Sequence, residues 1–175
     1  QHRSRPMIAL APGSAWRTKR WPGYGALAAL LADEFDIALI GSADDRAAAG
    51  EVKLRVEREQ IIDATGKLSL LGSAELIRRS AVLATNDSSP QHLASAMDTP
   101  TVTIFGPTVP EFGFGPLAPG SRTVGNKALE CRPCDRHGPR ECPLGHWRCM
   151  QEITAEEVAG TIRSVLSEIS EESGG

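Results

Sequence analysis

A doubly wound α/β fold, with a parallel sheet covered by helices on both faces, is the class this sequence predicts. Two observations predict it. Short apolar runs suited to buried strands alternate along the chain with longer stretches of helical periodicity. The segments that would follow those strands are also the richest in Gly, Ser, Thr and charge, and in such a sheet ligands sit beyond the carboxyl ends of the strands. A length of 175 residues fits one domain with a sizeable core, and 41% hydrophobic with 23% charged residues is ordinary for a globular protein.

The elements follow in order. Met7-Ile8-Ala9-Leu10-Ala11 reads as a strand, broken by Pro12-Gly13-Ser14 and followed by a loop to Lys19-Arg20-Trp21-Pro22. A helix is expected over 24–35, with Leu27, Leu30 and Leu31 on one face. Ile37-Ala38-Leu39-Ile40 is a second strand, ended by Gly41-Ser42. Ser42 with Asp45 forms a capping-box pattern for a helix through Arg58. Ile61-Ile62-Asp63 is a short third strand and 70–79 a third helix. Ala81-Val82-Leu83-Ala84 is a fourth strand, followed by a short helix from Gln91 and a strand over 101–105. Thr154 and Glu157 open a last helix, with Ile153 and Val158 at staple positions, running to about Ile169. Residues 1–6 read as a linker, 7–169 as one domain containing a cysteine loop at 129–150, and 170–175 as a disordered tail.

The stretch Thr85-Asn86-Asp87-Ser88-Ser89-Pro90-Gln91-His92 lies at a strand-to-helix junction. Free N–H groups at a helix start, with the helix dipole behind them, favour an anion. Ser88 and Ser89 can cap the helix or donate to phosphate oxygens, and His92 falls in the first turn. The plain alternative is a well-capped junction. The other loops expected at the same end of the sheet are 12–22, 41–45, 65–69 and 106–114. Gly23-Tyr24-Gly25-Ala26-Leu27-Ala28, with Asp44 further on, matches a loose dinucleotide fingerprint. That fingerprint must follow its strand directly, and here Trp21-Pro22 intervenes, so Gly23 and Gly25 read as helix-start residues.

Composition narrows the partners. A net charge of −3 leaves no basic footprint for nucleic acid. The longest apolar run, 26–32, is too short to span a bilayer. The first residues contain no initiator Met and no signal-peptide core, so the chain is expected to begin inside a longer protein. Cys131, Cys134, Cys142 and Cys149 lie close together with His137 and His146 nearby. This spacing resembles a zinc loop, although the gap from Cys142 to Cys149 is wider than a second C-x-x-C. Free thiols or disulfides are the alternatives, with the loop as a stapled surface excursion.

Five short motifs stand in register: Ala11-Pro12-Gly13-Ser14, Lys19-Arg20-Trp21-Pro22, Leu39-Ile40-Gly41-Ser42, the stretch from Thr85 to His92, and Phe105-Gly106-Pro107-Thr108. Together they resemble the C-terminal half of a bacterial lipopolysaccharide heptosyltransferase of glycosyltransferase family nine. The resemblance implies the Rossmann-like, donor-binding half of a two-domain GT-B enzyme. Such an enzyme transfers heptose from ADP-heptose to the lipopolysaccharide inner core at the cytoplasmic face of the inner membrane, with peripheral membrane association and no required cofactor. It implies that Lys19 contacts donor phosphate or sugar, that Ser14 lies near the diphosphate, and that Gly41 and Ser42 border the donor. It implies further that Leu68 packs on the adenine and Asp87 binds heptose hydroxyls, while Ser88 and Ser89 cradle the diphosphate with His92 at the same helix start. Ser89 departs from the family, where glycine is usual. The catalytic base is expected on the other domain, with the acceptor. For Lys19 the alternative is a solvated charge, for Asp87 an Asx-type cap, and for His92 a capping or core residue. At the level of function the alternatives are another nucleotide-sugar donor, or a non-catalytic nucleotide-binding or metal-stapled interaction domain.

Overall fold

The computed structural model describes residues 5–56, 59 and 61–173. Six parallel strands form one sheet: β1 (Met7–Ala11), β2 (Asp36–Leu39), β3 (Ile61–Asp63), β4 (Val82–Asn86), β5 (Thr101–Ile104) and β6 (Arg122–Val124), in the order β3-β2-β1-β4-β5-β6. The helices are α1 (Tyr24–Leu31), α2 (Arg46–Lys53), α3 (Leu70–Arg78), α4 (Ser89–Ala96), α5 (Arg148–Gln151) and α6 (Ala155–Ser173). The predicted class is therefore the observed one. Strand order reverses between β1 and β4, which pair with Leu10 opposite Ala84 and Ala11 opposite Thr85. In this topology the crevice outside that reversal point is where ligands bind.

Both faces of the sheet are covered, so β4 and β5 are buried at every residue and β1 is apolar throughout, while β4 turns polar only at its end, at Thr85 and Asn86. Ile8, Leu10, Ile37, Leu39, Val82 and Val102 pack with α1, α2 and α6 through Leu27, Leu31, Val52, Val158, Ile162 and Val165. Ala9, Ala11 and Leu83 point the other way, toward Ile77 of α3 and Ala94 of α4. Alanine on this second face lets α3 and α4 lie close to β1 and β4.

Several element bounds differ from expectation. α1 ends at Leu31, not Phe35, because the chain must turn into β2; Phe35 still reaches the core. Its buried stripe is Tyr24, Leu27, Ala28 and Leu31, the i, i+3, i+4, i+7 set, and Leu30 is exposed rather than part of it. The capping box forms, with the Ser42 N–H donating to Asp45 Oδ2 at 2.8 Å. It opens a single 3-10 turn, Ala43–Asp45, before α2, which stops at Lys53. Arg58, the expected end, lies outside the described residues. β6 was not foreseen, since its Arg-Thr-Val is too short and too exposed to carry a strand signal. α6 starts as expected: the Glu157 N–H donates to Thr154 Oγ1 at 3.1 Å, and Ile153 and Val158 are buried. It continues through Ser170 to Ser173 instead of fraying after Ile169, because no Gly or Pro interrupts it there; Ser170 Oγ donates to the Leu166 carbonyl at 2.9 Å. Among the described residues no helix is long and apolar enough to cross a membrane.

Candidate functional site

The site is built on the loop after β1 and the end of β4. Asn86, the last residue of β4, is fully buried and joins the two. Its Nδ2 donates to the carbonyls of Pro12 and Gly13 at 3.1 and 3.0 Å, and its Oδ1 accepts from the Trp21 N–H at 3.1 Å. Two donors and an acceptor are thus all in use, which fixes the path of the loop from both ends. Trp21 is anchored on its other side by its indole N–H, which donates to the Ile153 carbonyl at 3.0 Å.

Held by this staple, Lys19 meets Asp87. Nζ donates to Asp87 Oδ2 at 2.6 Å, with the two side chains 9% and 6% exposed. The same Oδ2 accepts from Thr108 Oγ1 at 2.7 Å, and Oδ1 accepts from Gln91 Nε2 at 3.2 Å. Lys19 is thus neither a solvated surface charge nor open to the cavity: it is a buried ion-pair partner. Removing one member of such a pair strands the other, at roughly 3–5 kcal/mol.

Beside the pair lies a cavity of about 650 Å³ at the carboxyl ends of β1, β2 and β4. Six of the nine expected donor residues line it: Ser14, Gly41, Ser42, Leu68, Ser88 and Ser89. Lys19, Asp87 and His92 do not. The α4 residues that line it are Ser89, Pro90 and Leu93, because the helix begins at Ser89 rather than Gln91 and its register sets the exposed His92 off to the side. Ser88 does not cap α4; its hydroxyl donates to the Asn86 carbonyl at 3.3 Å. The helix start therefore faces the cavity without a side-chain cap, an arrangement suited to an anion. Ser89 is helical and absent from the positive-φ positions, so serine carries no strain there. Leu68 and Leu70 are 43% and 68% exposed on the cavity wall, which gives a flat ring an apolar surface. Gly13 has no room for a side chain, since a Cβ there would lie 1.9 Å from Asp45 Oδ1.

Arg20 escaped the sequence reading. Among the described residues it is the one Lys or Arg that lines the cavity, and its Nε donates to the Ser14 carbonyl at 2.7 Å. That bond holds at the cavity wall a guanidinium, whose fork matches phosphate geometry, in the same cavity as the start of α4. Asn86, Gln91 and Thr108 were also missed. All three stand within the motifs that carry the family resemblance, but nothing in their residue type announces whom they bond.

The cysteine loop runs over the surface, with Gly138 its one buried residue between 129 and 147, but it is tied down beside the site. Thr18 Oγ1 donates to the Pro139 carbonyl at 2.5 Å, and the Trp147 indole N–H donates to the Thr18 carbonyl at 2.9 Å. Gly138, at φ +89°, packs on Lys19: a Cβ there would lie 3.0 Å from Lys19 Cε. The loop therefore walls in the Lys19–Asp87 pair. Arg132 ties it to the sheet by donating to the carbonyls of Phe105, Gly106, Thr108 and Asn126. Desolvation holds the Arg132 guanidinium below its ordinary pKa. All four cysteines are free thiols. Burial, followed by the neighbouring Cys134, pushes Cys149 up to about 11. At Cys142 desolvation, the largest single influence, raises the thiol pKa, but the backbone N–H groups of Trp147, Leu144, Gly145 and His146 together outweigh it and draw the thiol below its usual value. Among the described residues, no three Cys, His, Asp or Glu side chains converge on a metal-binding geometry.

The profile described as glycosyltransferase family 9 (heptosyltransferase) matches residues 1–147. Lipopolysaccharide heptosyltransferase 2 of Salmonella typhimurium is 32% identical over 171 residues, covering 94% of this chain and 48% of that protein. The structure of Escherichia coli ADP-heptose LPS heptosyltransferase II superposes with a TM-score of 0.81 at 28% identity, over 96% of this chain and 48% of the other. TibC, an iron-containing dodecameric heptosyltransferase solved in complex with ADP-D-β-D-heptose, has a TM-score of 0.72 at 22% identity, over 96% of this chain and 47% of its own, a likeness of fold alone. The chain spans about half the length of these relatives. With the profile covering most of its residues, this chain belongs to glycosyltransferase family 9, the heptosyltransferases.

Proposed function

We propose that this chain is the donor-binding domain of a GT-B glycosyltransferase that moves heptose from ADP-heptose to the lipopolysaccharide inner core. The observation that carries the reading is the cavity at the β1/β4 reversal, which Arg20 and the uncapped start of α4 both line. Breaking the bond between sugar and diphosphate leaves extra negative charge on the departing group and an oxocarbenium-like sugar. Arg20 and the α4 amides are placed to stabilise that charge, and removing one such donor costs about 2.7–4 kcal/mol of barrier in comparable sites. Ser14, Ser88 and Ser89 border the diphosphate. Gly41 and Ser42 border the nucleoside, and Leu68 packs on its adenine. For Asp87 to meet a sugar hydroxyl its pair with Lys19 must open toward the cavity, since Lys19 now fixes Asp87 off the lining instead of contacting phosphate. His92 has no part in this arrangement.

The acceptor and the base belong to a second domain. Asp87 already accepts three hydrogen bonds, so it is poorly placed to take a proton. The full enzyme works on the cytoplasmic face of the inner membrane, associated peripherally, and binds no nucleic acid. The chemistry at the cavity requires no cofactor. Four thiols are the donor set that suits a structural zinc or iron, and Cys131, Cys134, Cys142 and Cys149 would supply it. As they stand, among the described residues, they are not drawn into a ligating geometry.

Calorimetric titration of the chain with ADP-heptose, ADP and UDP-sugars tests the reading. Binding of the adenine nucleotides in preference to UDP-sugars is the expected outcome. Preference for a UDP-sugar would move the protein to another donor. No binding at all would favour an interaction domain.

A further inference from the structure

Charge is not spread evenly over the chain. Residues 15–20 and 127–148 carry eight Lys and Arg against three Asp and Glu, in a chain whose net charge is −3. Lys19 and Arg148 are neutralised by Asp87 and Glu152, which lie outside these segments. The other six cations stand against Glu130, Asp135 and Glu141, with Glu111 of the neighbouring loop close enough to act on Arg132. The Asp135 carboxylate is turned to its own backbone, accepting from the His137 N–H at 2.8 Å.

The fold clamps the two segments together. Thr18 Oγ1 donates to the Pro139 carbonyl at 2.5 Å, and the Trp147 indole N–H donates to the Thr18 carbonyl at 2.9 Å. Arg17 precedes Thr18 and Arg140 follows Pro139, so their side chains spring from joined backbone. The His137 ring lies against Phe114, with centroids 5.8 Å apart, and holds the loop next to Arg136. Arg17, Arg136 and Arg140 are exposed, and among the described residues none has an ion-pair partner. By contrast, the exposed Arg78, Arg79, Arg122 and Arg163 each pair with a glutamate. Cations gathered without counter-charge repel one another, and an anionic partner relieves that repulsion.

Two apolar side chains stand among them. Trp16, beside Arg17, is 37% exposed, and Leu144, in the turn before Trp147, is 64% exposed. A stable protein interface has a contiguous apolar centre. Here the apolar side chains are set singly between arginines. An indole flanked by guanidinium groups suits the headgroup layer of a bilayer, where the ring sits at the interface and each fork meets a phosphate.

We propose that Trp16, Arg17, Arg136, Arg140 and Leu144 form the surface by which this protein rests on a membrane carrying anionic phospholipid. The inference rests on the peripheral association proposed above and gives it a location. Ala15, next to Trp16, lines the cavity, so a bilayer seated on this patch lies at the cavity rim, where a lipid-borne acceptor has to enter.

The test is co-sedimentation of the chain with vesicles of phosphatidylglycerol and phosphatidylethanolamine, beside vesicles of phosphatidylcholine alone. A melting curve and an ADP titration accompany each variant. Wild type should pellet with the anionic vesicles and not the neutral ones, and less so as salt is raised. Arg17→Gln, Arg136→Gln and Arg140→Gln should each weaken this binding about fivefold, and the triple variant about a hundredfold. Arg55→Gln, which removes an exposed and unpaired cation away from the patch, should leave it unchanged. Tryptophan emission should shift to the blue on adding anionic vesicles to wild type, and not in Trp16→Phe. An equal loss in Arg55→Gln would make the attraction one of general charge and overturn the proposal. Full binding by the triple variant, or a blue shift that persists in Trp16→Phe, would place the contact elsewhere and overturn it as well. A wild type that does not pellet overturns it and leaves these cations to a protein partner, while the ADP titration decides the donor site separately. Should the triple variant melt early, the single variants decide, and wild-type binding in all three overturns the proposal.

Discussion

Lys19 and Arg20 are adjacent in sequence, carry the same charge and do different things. Lys19 points into the protein toward Asp87, while Arg20 points into the cavity from its bond to the Ser14 carbonyl. Two predictions separate them. Arg20→Ala should weaken ADP binding by about 1.5–3 kcal/mol, the range for a lost hydrogen bond to a charged group, with little effect on stability; calorimetry and a melting curve read both. Lys19→Ala should instead destabilise the fold by roughly 3–5 kcal/mol, because Asp87 is left buried and unpaired. Lys19→Met combined with Asp87→Leu should lose much less, since it removes both charges together. Denaturant unfolding of the three proteins decides. A reversed pattern, with Lys19→Ala affecting binding alone, would return Lys19 to the phosphate. From the sequence, the motif around Lys19 was visible but not which of its two cations would face the ligand. That choice is made by Asn86 and Trp21, which set the direction of the loop through contacts 65 and 132 residues away along the chain.

At the scale of elements, the strands and most helices were legible because apolar runs and caps are local signals. What was lost was what tertiary context decides: the early end of α1, the start of α4 two residues before the expected Gln91, and β6, which exists only because β5 offers an edge. The cysteine loop was the largest miss. Between Leu129 and Trp147 it has almost no regular structure, so no periodicity could show that it packs on Thr18 and Lys19. Two predictions belong to this loop. Gly138→Val should strain a left-handed position and press on Lys19, costing on the order of 1–3 kcal/mol; thermal unfolding measures it. If the four thiols take up a structural metal, purified protein should carry about one zinc or iron, and a chelator should lower its melting temperature. Four titratable thiols with no bound metal would leave the loop held by Arg132 and its hydrogen bonds alone.

For the whole molecule, the division of labour between two domains makes a direct prediction. This chain should bind the donor but not transfer its sugar at a rate comparable to a family member that carries both halves. Its cavity offers Arg20, serines and the start of α4, but no carboxylate or imidazole placed as a base toward an acceptor. The exposed His92 is off the cavity, and Asp44 and Asp45, which do line it, lie in the turn before α2, with Asp45 accepting from Ser42. Closure of a second domain would also exclude water, which otherwise hydrolyses the donor. Assay with ADP-heptose and a lipid A–Kdo acceptor, beside such a two-domain protein, measures this; comparable turnover by the chain alone would place the base here.

The four carbonyls gathered by Arg132 have a consequence for motion. They belong to the turn after β5 and to the segment after β6, while Arg132 itself belongs to the cysteine loop. The turn after β5 cannot part from the cysteine loop without breaking three bonds to one cation at once, and a fourth ties in the segment after β6. They should therefore open as one cooperative unit, and hydrogen exchange should report it. The Cys134 amide, which donates to the Pro107 carbonyl, and the Phe105 amide, which donates to Val124, should exchange at matched rates, and Arg132→Lys should speed both together.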